Sequence, residues 1–472
     1  MKHQEQIEAY WSDPAREREL VGAIARLVNV KSVKGDPEPG KPFGPGPAAA
    51  LDEALALCRE LGFSTSDYDH YVGLADLNDK ETRLHILGHL DVVGEGSGWD
   101  TDPYTCVEKD GMLYGRGVSD DKGPVVCALL AMKAVRELGF PVSANARLIL
   151  GTDEESGSAD IAYYYAREPY APYAFTPDAD FPVINIEKGH YHPDFGAQWE
   201  RSGALPRVAA MTGGFRQNVV PPEAECMILG LFDRDVRSVC DEVAQTTGAA
   251  FLVNGSASGC HIHCEGKNAH AASPDDGINA IAALLEVLER LPLADCGSTK
   301  AVRALHTLFP FGDNRGKALG IAQEDAESGP LTLNFALLTL TETGFTAKFD
   351  VRFPICATEE TCKKACEAAF AGYGISVTGD PDMTTVHCVP RDSELVQTLL
   401  RCYADYTGVE NPQPIAIGGG TYVHEIPGGV AFGAGMPGFV SNMHGANERI
   451  NIRDSLAACK IFALAIAELC GE

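Results

Sequence analysis

The sequence has few basic residues. Lysine and arginine together number 38 in 472 residues, against 66 aspartates and glutamates, so the formal net charge is −28 at neutral pH. A surface this acidic repels the phosphate backbone of nucleic acids. We therefore expect no nucleic-acid partner.

Long apolar segments are also missing. The longest apolar run, residues 125–132, is too short to cross a bilayer. Residues 1–19 contain no apolar stretch of the kind found in a secretory signal, so we expect neither a signal peptide nor a membrane partner. The 15 cysteines are odd in number and have no regular spacing. These features predict reduced thiols and a cytoplasmic location.

What is present is an alternation of short apolar runs with helical patterns toward both ends of the chain. Such an alternation predicts an α/β catalytic domain with a mainly parallel sheet flanked by helices. The predicted helices are residues 5–30, 51–61, 123–138, 393–407 and 453–469, the predicted strands are residues 84–89, 147–151, 183–186 and 429–433, and residues 35–47 are a predicted loop.

The middle of the chain has a different pattern. Residues 332–340 and 345–353 have strand alternation, and helices are predicted near residues 279–291 and 359–371. This mixture is typical of an α+β domain built on an antiparallel sheet. A chain of this length also exceeds one ordinary core. The predicted catalytic domain comprises residues 1–188 and 385–472, and an inserted domain comprises residues 189–384.

A histidine and an aspartate, His89 and Asp91, follow the first predicted strand. Side chains two apart in an extended segment point the same way. A carboxylate beside an imidazole can accept its second N–H and fix the tautomer that a metal ligand needs. The alternative is an ordinary polar pair at a strand end, because this short motif is common.

Two acidic turns are further candidates. Asp120 lies in a glycine-rich loop that opens a helix, where it is either an ordinary cap or a carboxylate that bridges two metal ions. Asp153, Glu154 and Glu155 follow a predicted buried strand, where α/β sheets place their sites. Three successive carboxylates repel one another unless cations lie near, and a solvated turn is the alternative. Adjacent Glu154 and Glu155 cannot readily point at the same atom, so one can bind metal while the other remains a free base.

Asp178 and His444 complete a set of ligands. Asp178 precedes the third predicted strand, and His444 lies near the C-terminal end of the chain. Two histidines and three carboxylates suit divalent ions such as Zn²⁺ or Mn²⁺.

Together these segments resemble the PepV-type dipeptidases of the two-metal peptidase family M20, which also contains carnosinase, aminoacylase and succinyl-diaminopimelate desuccinylase. The match runs from about residue 85 to residue 449 in the family's order. The matching stretches are GHLDVV, GWDTDPYTCVEKDGMLYGRGVSDDKGP, GTDEESG, FTPDADFPVINIEKG, GGGTY and MHGANE.

The resemblance implies a hydrolase that cuts dipeptides with a free amine and a free carboxylate, using two divalent ions per chain. Zn²⁺ is the expected ion, with Mn²⁺ and Co²⁺ as alternatives. Asp120 would bridge the ions, Glu154 would be the general base, and Asp91 would orient His89. The peptide bond after Asp120 would be cis, as is usual in the family. The implied ligands are His89 and Asp178 for one ion and Glu155 and His444 for the other.

The resemblance also implies that the inserted domain is a lid, and that the chain is a monomer because a large lid replaces a partner subunit. Its small peptide substrate would be held partly by lid side chains and partly by backbone N–H groups of a glycine loop. Without the resemblance, His270 would be a surface histidine and Arg352 a charge at a strand edge. The implied substrate and transition-state residues are His270, Asn218 and Arg352 in the lid, and Gly419, Gly420 and Thr421 in the loop.

Two other functions use the same features. An N-acyl amino-acid deacylase or desuccinylase would have the same metal site, but the long insertion favours the PepV-type lid. A catalytically silent binding protein would be free to lose its base, whereas Glu154 is present.

A second histidine- and cysteine-rich segment raises a separate zinc hypothesis. Strand alternation puts Cys260, Ile262 and Cys264 on one face and the two intervening histidines on the other, so we predict a plain strand. Cys362 and Cys366, one helical turn apart, are predicted core or helix-surface residues. His424, next to the glycine loop, has no predicted role.

Overall fold

The computed structural model describes residues 2–379, 381 and 383–471. The helices of this part are α1 Lys2–Trp11, α2 Pro14–Val28, α3 Pro45–Glu60, α4 Lys122–Glu137, α5 Ala159–Tyr165, α6 Asp233–Thr247, α7 Ala280–Arg290, α8 Gly297–Leu308, α9 Ala365–Ala371, α10 Glu394–Thr407 and α11 Ile452–Leu469. Shorter helical turns are Glu154–Ser156, Pro274–Asp276, Glu360–Lys364 and Tyr422–Glu425.

The strands are short and numerous. In chain order they are β1 Ser64–Tyr68, β2 Val72–Asp76, β3 Thr82–His89, β4 Val107–Lys109, β5 Met112–Tyr114, β6 Asn145–Gly151, β7 Tyr173–Thr176, β8 Ala179–Asp180, β9 Ile184–Glu187, β10 Gly189–Tyr191, β11 Asp194–Gln198, β12 Arg207–Gly213, β13 Glu223–Leu229, β14 Ala250–Gly255, β15 Gly259–Glu265, β16 Glu324–Asp325, β17 Gly329–Pro330, β18 Thr332–Leu340, β19 Gly344–Phe353, β20 Ser376–Thr378, β21 His387–Cys388, β22 Ile415–Ile417, β23 Val430–Ala431, β24 Ala434–Gly435 and β25 Arg449–Asn451.

The chain divides into two compact units. Unit 1 contains the described residues up to Ile186, His387–Ile415 and the described residues from Gly420 onward. Unit 2 contains the described residues from Glu187 to Val386 together with Ala416–Gly419. The sequence predicts that the last segment belongs to the catalytic domain, whereas in the structure it groups with unit 2. The roles of the two units as catalytic domain and lid stay predictions.

Unit 1 is built on a mixed sheet with strand order β1-β2-β6-β3-β7-β23-β9-β21. The central pairs β6–β3, β3–β7 and β7–β23 are parallel, as expected from the alternation of strands and helices. The pairs β1–β2, β2–β6 and β23–β9 are antiparallel, so the predicted mainly parallel sheet is corrected to a mixed one. Of these three antiparallel pairs, β1–β2 is a local hairpin, whereas β2–β6 and β23–β9 join segments distant in sequence, which a local pattern does not reveal.

Helix α4, which is apolar from Val125 to Met132, lies in the unit 1 core. It packs against α2 and α11, and its face residues Val126, Leu129 and Leu130 are almost fully buried. Truncating a buried leucine such as Leu129 to alanine removes about 2–5 kcal/mol of folding free energy. The loop before α4 is therefore anchored to a rigid element.

Two predicted helices have different limits in the structure. The predicted helix at residues 5–30 is two helices, because Pro14 starts α2 and the side chain of Asp13 caps it by accepting from the Ala15 N–H at 2.8 Å. The predicted loop at residues 35–47 ends early, since α3 begins at Pro45, where a proline is tolerated in the first helical turn.

Unit 2 is built on an antiparallel sheet with strand order β14-β15-β13-β12-β18-β19-β11-β20, and β10 also pairs with β19. Its own core contains Phe195, Phe309, Phe349 and Phe370 in mutual ring contact. Strand alternation and amphipathic helices at the predicted positions account for this α+β arrangement.

Candidate metal centre

The predicted ligands lie on loops at one edge of the unit 1 sheet. β3 ends at His89, and β6 ends at Gly151, just before the acidic residues 153–155. His89 is opposite Gly151 in parallel register, so the two loops leave the sheet side by side. Asp178 follows β7 by two residues, and its N–H donates to the Thr176 hydroxyl at 3.3 Å. Parallel strands thus deliver these groups to the edge where α/β sheets hold ligands.

Asp120 is the central group of the cluster. Its Oδ1 lies 2.9 Å from Nε2 of His89, and its Oδ2 lies 2.8 Å from Nε2 of His444. The His89 side chain is fully buried, whereas that of His444 is 40% exposed. One carboxylate therefore faces both histidines with one oxygen each, as a bridging ligand must.

The other acidic side chains divide between the two histidines. Oδ2 of Asp178 lies 3.5 Å from Nε2 of His89, and Oε1 of Glu155 lies 3.2 Å from Nε2 of His444. Two groups result, each with potential ligand atoms within 4.8 Å of one another. The groups are His89, Glu154 and Asp178, and Asp120, Glu155 and His444.

Asp91 contacts two neighbours at once. Its backbone carbonyl is 3.0 Å from Nδ1 of His89, closer than its carboxylate oxygen at 3.5 Å. The carboxylate instead accepts the N–H groups of Glu154 and Glu155, both at 3.1 Å. Asp91 therefore fixes the His89 ring through its main chain and the acidic turn through its side chain.

The histidines are held in a strongly negative environment. Burial lowers the pKa of His89, but hydrogen bonds to Asp120 and Asp178 outweigh burial and raise that pKa well above its ordinary value. Burial likewise lowers the pKa of His444, yet hydrogen bonds to Asp120 and Glu155 raise it to about 11. Positive charge is strongly favoured at both positions.

The carboxylates are crowded to the point of repulsion. Burial raises the pKa of Glu154 well above its ordinary value. The charge of His89 opposes this rise, and Asp178 and Glu155 add to it. Burial and then the charge of Asp120 raise the pKa of Asp178. Cations placed among these groups would remove the repulsion.

The donor set fits two divalent cations. Imidazole nitrogens and carboxylate oxygens converge on two neighbouring positions that share Asp120. Borderline-to-hard divalent ions take this mixture of ligands. The excess negative charge is what such ions would neutralise.

Asp121 ties the loop of Asp120 to the sheet. The Asp120–Asp121 peptide bond is cis, as the resemblance implies. Oδ2 of Asp121 accepts the His89 N–H at 3.1 Å. Burial raises the pKa of Asp121 well above its ordinary value. The bridging position is thereby fixed relative to the end of β3.

Glu448 holds the same loop from the other side. Its fully buried carboxylate accepts the N–H groups of Gly117, Ser119 and Asp120 at 2.9–3.2 Å. It also forms an ion pair with Arg116 at 2.6 Å. A single buried side chain thus satisfies three loop N–H groups that would otherwise be costly to bury.

Two predicted substrate residues lie on adjacent segments of unit 2. Val219 forms an isolated antiparallel bridge with His270, and the Ala271 N–H donates to the Asn218 carbonyl at 2.9 Å. Asn218 and His270 are therefore neighbours along two paired segments, with His270 exposed.

Arg352 is held by a dense set of contacts in the same unit. Its Nε and Nη2 donate to the Asp350 carboxylate at 2.6 and 2.8 Å. Its Nη1 donates to the Gly418 carbonyl at 2.9 Å. Arg352 as a whole is 6% exposed, and its guanidinium is bonded directly to the start of the glycine loop.

The rest of the glycine loop spans the boundary between the units. Gly419 groups with unit 2, whereas Gly420 and Thr421 group with unit 1. The Thr421 hydroxyl caps the turn Tyr422–Glu425 by accepting the Val423 N–H at 3.4 Å. The ring of His424 lies 6.1 Å from that of His387, and this contact assigns it no role.

The cysteine-rich segment is a strand, as predicted. Cys260, Ile262 and Cys264 on β15 are fully buried, while His261 and His263 are partly exposed on the opposite face. The two metal-type groups given above are the only ones among the described residues, and neither includes this strand. All 15 cysteines are free, and Cys362 and Cys366 are core residues, a role the sequence left open beside a helix-surface one.

Residues 85–468 of the chain match the model of peptidase family M20/M25/M40. The chain belongs to this family. Within M20, residues 85–468 include the loops of both metal-type groups and all of unit 2.

Two relatives are similar over nearly their whole lengths. "Putative dipeptidase YtjP" of Bacillus subtilis (strain 168) is 34% identical over 462 residues, covering 96% of this chain and 98% of the relative. "Beta-Ala-Xaa dipeptidase" of Lactobacillus delbrueckii subsp. lactis is 31% identical over 432 residues, covering 91% of this chain and 90% of the relative.

Two solved structures establish that the M20 fold extends along the chain. Human carnosine dipeptidase 1 matches with a TM-score of 0.57 and 18% identity, covering 99% of this chain and 98% of that one. The di-peptidase Dug1p from Saccharomyces cerevisiae matches with a TM-score of 0.58 and 14% identity, covering 100% and 99%.

Several residues that support this site are not predicted from the sequence. Glu448 lies in the stretch MHGANE and Tyr422 in GGGTY, but these stretches predict no role for either residue. Asp160, Arg116 and Asp121 are acidic or basic residues with 0–1% exposure. Their burial, which the sequence does not show, is the signal that marks them.

In the described part of the chain, no helix has the length and apolar character needed to cross a membrane.

Proposed function

We propose that the protein is a metal-dependent dipeptidase that hydrolyses the amide bond of dipeptides with a free amine and a free carboxylate. The observation that carries this proposal is Asp120, whose two oxygens face His89 and His444 at 2.9 and 2.8 Å. Relatives named as dipeptidases, aligned over more than nine-tenths of this chain, support the substrate class.

We propose that two divalent ions bind per chain, with Asp120 shared between them. His89 and Asp178 would hold one ion, and Glu155 and His444 would hold the other. Zn²⁺ is the ion proposed, because mixed imidazole and carboxylate ligation suits it, and Mn²⁺ and Co²⁺ are alternatives.

When bound, the two ions supply a water molecule of lowered pKa and a polarised substrate carbonyl. Glu154 then serves as general base, taking the proton of the attacking water and delivering it to the leaving amine. Asp91 orients His89 and holds the N–H groups of the turn that carries Glu154, at 3.1 Å for Glu154 itself. Positioning of this kind is a large part of what a protein contributes to such a reaction.

The substrate-binding roles are proposed on the resemblance. Lid residues would contact the peptide and the developing oxyanion, and the glycine loop would hold the substrate carboxylate. The proposed residues are Asn218, His270 and Arg352, and Gly419, Gly420 and Thr421.

A metal-reloading assay tests the function. The protein is stripped of metal, reloaded with Zn²⁺, Mn²⁺ or Co²⁺, and assayed on L,L-dipeptides, β-alanyl-histidine, tripeptides, and N-acetyl and N-succinyl amino acids. We expect metal-dependent cleavage of dipeptides, with tripeptides and N-acyl substrates cut slowly. Preferential release of acetate or succinate would reject the dipeptidase in favour of a deacylase, and no turnover with any ion would indicate a silent binding protein.

We also propose that the protein is a cytoplasmic monomer. Its 15 free cysteines, 12 of them buried, fit a reducing compartment. The long insertion that forms unit 2 supports the monomer by resemblance to the PepV type. Sedimentation of the metal-loaded protein measures its mass directly, and a mass of about twice that of one chain would contradict the proposed monomer.

A further inference from the structure

The acidic turn, residues 152–155, is held by two carboxylates, each of which accepts two of its backbone N–H groups. Oδ2 of Asp160 accepts the N–H groups of Thr152 and Asp153, at 2.5 and 2.9 Å. Asp91 accepts those of the last two, both at 3.1 Å. Four successive N–H groups therefore point at two buried acceptors, which fixes the course of the chain just where the proposed base and ligand emerge.

Tyr422 completes the arrangement around Asp160. Its hydroxyl donates to the same Oδ2 of Asp160 at 2.5 Å, and its ring stands edge-on to His89 with centroids 6.2 Å apart. Gly151 ends β6 directly beneath this contact, and a Cβ there would overlap the Tyr422 hydroxyl. The lack of a side chain at Gly151 is what allows the tyrosine to reach the aspartate.

The contact is fully enclosed. Asp160 is 0% exposed and Tyr422 is 1% exposed. Among the described residues, no basic side chain forms an ion pair with Asp160, so its charge rests on three N–H groups and one hydroxyl. Charge-assisted hydrogen bonds of this kind are stronger than neutral ones, and they hold their partners in a narrow geometry.

Tyr422 also directly follows Thr421, the residue proposed to help hold the substrate carboxylate. One buried hydrogen bond therefore joins the end of the glycine loop to the turn that carries Glu154. Tyr422 therefore fixes the position of the end of the glycine loop relative to the turn that carries Glu154.

We propose that Asp160 and Tyr422 are positioning residues for the hydrolysis, holding the turn at 152–155 so that Glu154 lies where the proton must be taken. They touch neither substrate nor metal, and act through Glu154. The proposal rests on the proposed dipeptidase function.

The test compares two single hydroxyl deletions. Tyr422→Phe removes the donor to Asp160, and Tyr164→Phe is the matched control. Tyr164 is 0% exposed and lies in the same apolar cluster as Tyr422. Its hydroxyl accepts a hydrogen bond from Arg147 at 3.2 Å, whereas the hydroxyl of Tyr422 donates to Asp160. We expect Tyr422→Phe to lower kcat by about 10- to 100-fold, as losses of supporting hydrogen bonds do. KM, metal content and Tm should match those of Tyr164→Phe, which should keep the wild-type kcat.

Hydrogen exchange gives a readout that does not depend on activity. In Tyr422→Phe and in Asp160→Asn, the amides of Thr152 and Asp153 should exchange faster than in the wild type, because their acceptor is loosened or lost. The same amides should be unchanged in Tyr164→Phe. Asp160→Asn is the more disruptive change, and Tyr422→Phe decides the matter if Asp160→Asn fails to fold.

The outcomes separate this proposal from the proposed function. A wild type that cleaves no dipeptide with any ion overturns the function. A wild type that is active, with Tyr422→Phe as active as Tyr164→Phe and with unchanged exchange at Thr152 and Asp153, overturns the positioning role alone. A parallel fall of Tm, metal content and kcat in Tyr422→Phe would assign the pair to fold stability and would also overturn it.

Discussion

Neighbouring glutamates in one turn have different surroundings. Glu155 faces His444 at 3.2 Å, whereas Glu154 groups with His89 and Asp178. Both of their N–H groups end on Asp91, so the main chain is fixed and the two side chains diverge. Adjacent residues of one chemical type can therefore have separate tasks.

That separation predicts the result of truncating each glutamate. Glu154→Ala should keep its metal and lose about 10²- to 10⁴-fold in kcat, the usual contribution of a general base. Glu155→Ala should lose metal affinity as well, because a proposed ligand is removed. Metal analysis by mass spectrometry and steady-state kinetics measure both quantities. Equal loss of metal and activity in Glu154→Ala would reject its assignment as the base.

A second prediction at this scale concerns His85 on β3, which is 2% exposed and 2.9 Å from the Tyr165 hydroxyl. Burial, and then the charge of Arg147, lowers the pKa of His85 from 6.5 to about 4. Below pH 6.5 the unfolded chain binds a proton that the folded chain does not. The free energy of unfolding therefore falls as pH drops from 6.5 toward 4, by about 2 kcal/mol at pH 5 from this group alone.

Denaturation of the metal-free protein at pH 8 and pH 5 checks this contribution. His85→Gln cannot titrate, so its loss of unfolding free energy between the two pH values should be smaller than that of the wild type by about 2 kcal/mol. Equal losses would show that His85 takes up its proton in the folded state at an ordinary pKa.

At the level of elements, the sequence predicts strands and helices well where one pattern dominates. The predicted strand at residues 332–340 coincides with β18, and the predicted helices near residues 279–291 and 393–407 differ from α7 and α10 only at their capping residues. The break at Pro14 is not predicted because the apolar stripe continues beyond it. The antiparallel strands of the unit 1 sheet could not be predicted, since strand pairing depends on contacts distant in sequence.

For the candidate site, the sequence predicts the residues of the motifs but not the residues that support them. The ligand roles of His89 and His444 are implied by the family resemblance of several motifs together, since neither histidine predicts such a role on its own. The roles of supporting residues such as Glu448 and Asp160 are not implied in this way, because only their burial distinguishes them from the many acidic residues of this chain. Burial of a single side chain is a property of the folded molecule.

The loop before α4 supports a prediction about its buried ion pair. Arg116→Met leaves the carboxylate of Glu448 buried without its cation, and removes a guanidinium that lies 5.2 Å from the Trp99 ring centroid. Breaking a buried pair in this way should cost about 3–5 kcal/mol of unfolding free energy. Chemical denaturation of the metal-free protein measures it.

Two exposed ion pairs of one arginine offer the control. Arg26 pairs with Glu60 at 2.6 Å and with Glu53 at 2.7 Å, all three side chains are at least 34% exposed, and Arg26→Met should cost far less unfolding free energy than Arg116→Met. The double variant R116M/E448Q should recover part of the loss of R116M, since no charge is then stranded. Similar values for R116M and R26M would show that the buried pair contributes no more than a surface one.

At the scale of the whole molecule, the described residues form separate apolar cores for the two units. The metal-type groups lie entirely in unit 1. A ligand that binds only the folded form stabilises it, by about 2.7 kcal/mol at a hundred times its Kd. Metal should therefore act on one unit and not on the other.

Hydrogen exchange of the metal-free and metal-loaded protein tests this expectation. Peptides from β3 and β6 should gain protection on loading with Zn²⁺, and peptides from β13 and β15 should not. The double variant His89→Ala/Asp178→Ala, which lacks both proposed ligands of one ion, is the control and should show a smaller gain. Equal gains in both units would mean that the metal stabilises the molecule as one body.

The discontinuity of unit 1 has a consequence for biosynthesis. The residues of unit 2 are complete before the ribosome has made β23, α11 or His444, all of which unit 1 needs for its sheet, its core or its metal-type groups. At about 5–20 residues per second, His444 is added at least about ten seconds after Asp178. Throughout that interval the emerging hydrolase lacks one of its proposed ligands. On the proposed ligand assignment, a translation product that ends before His444 would have no hydrolase activity.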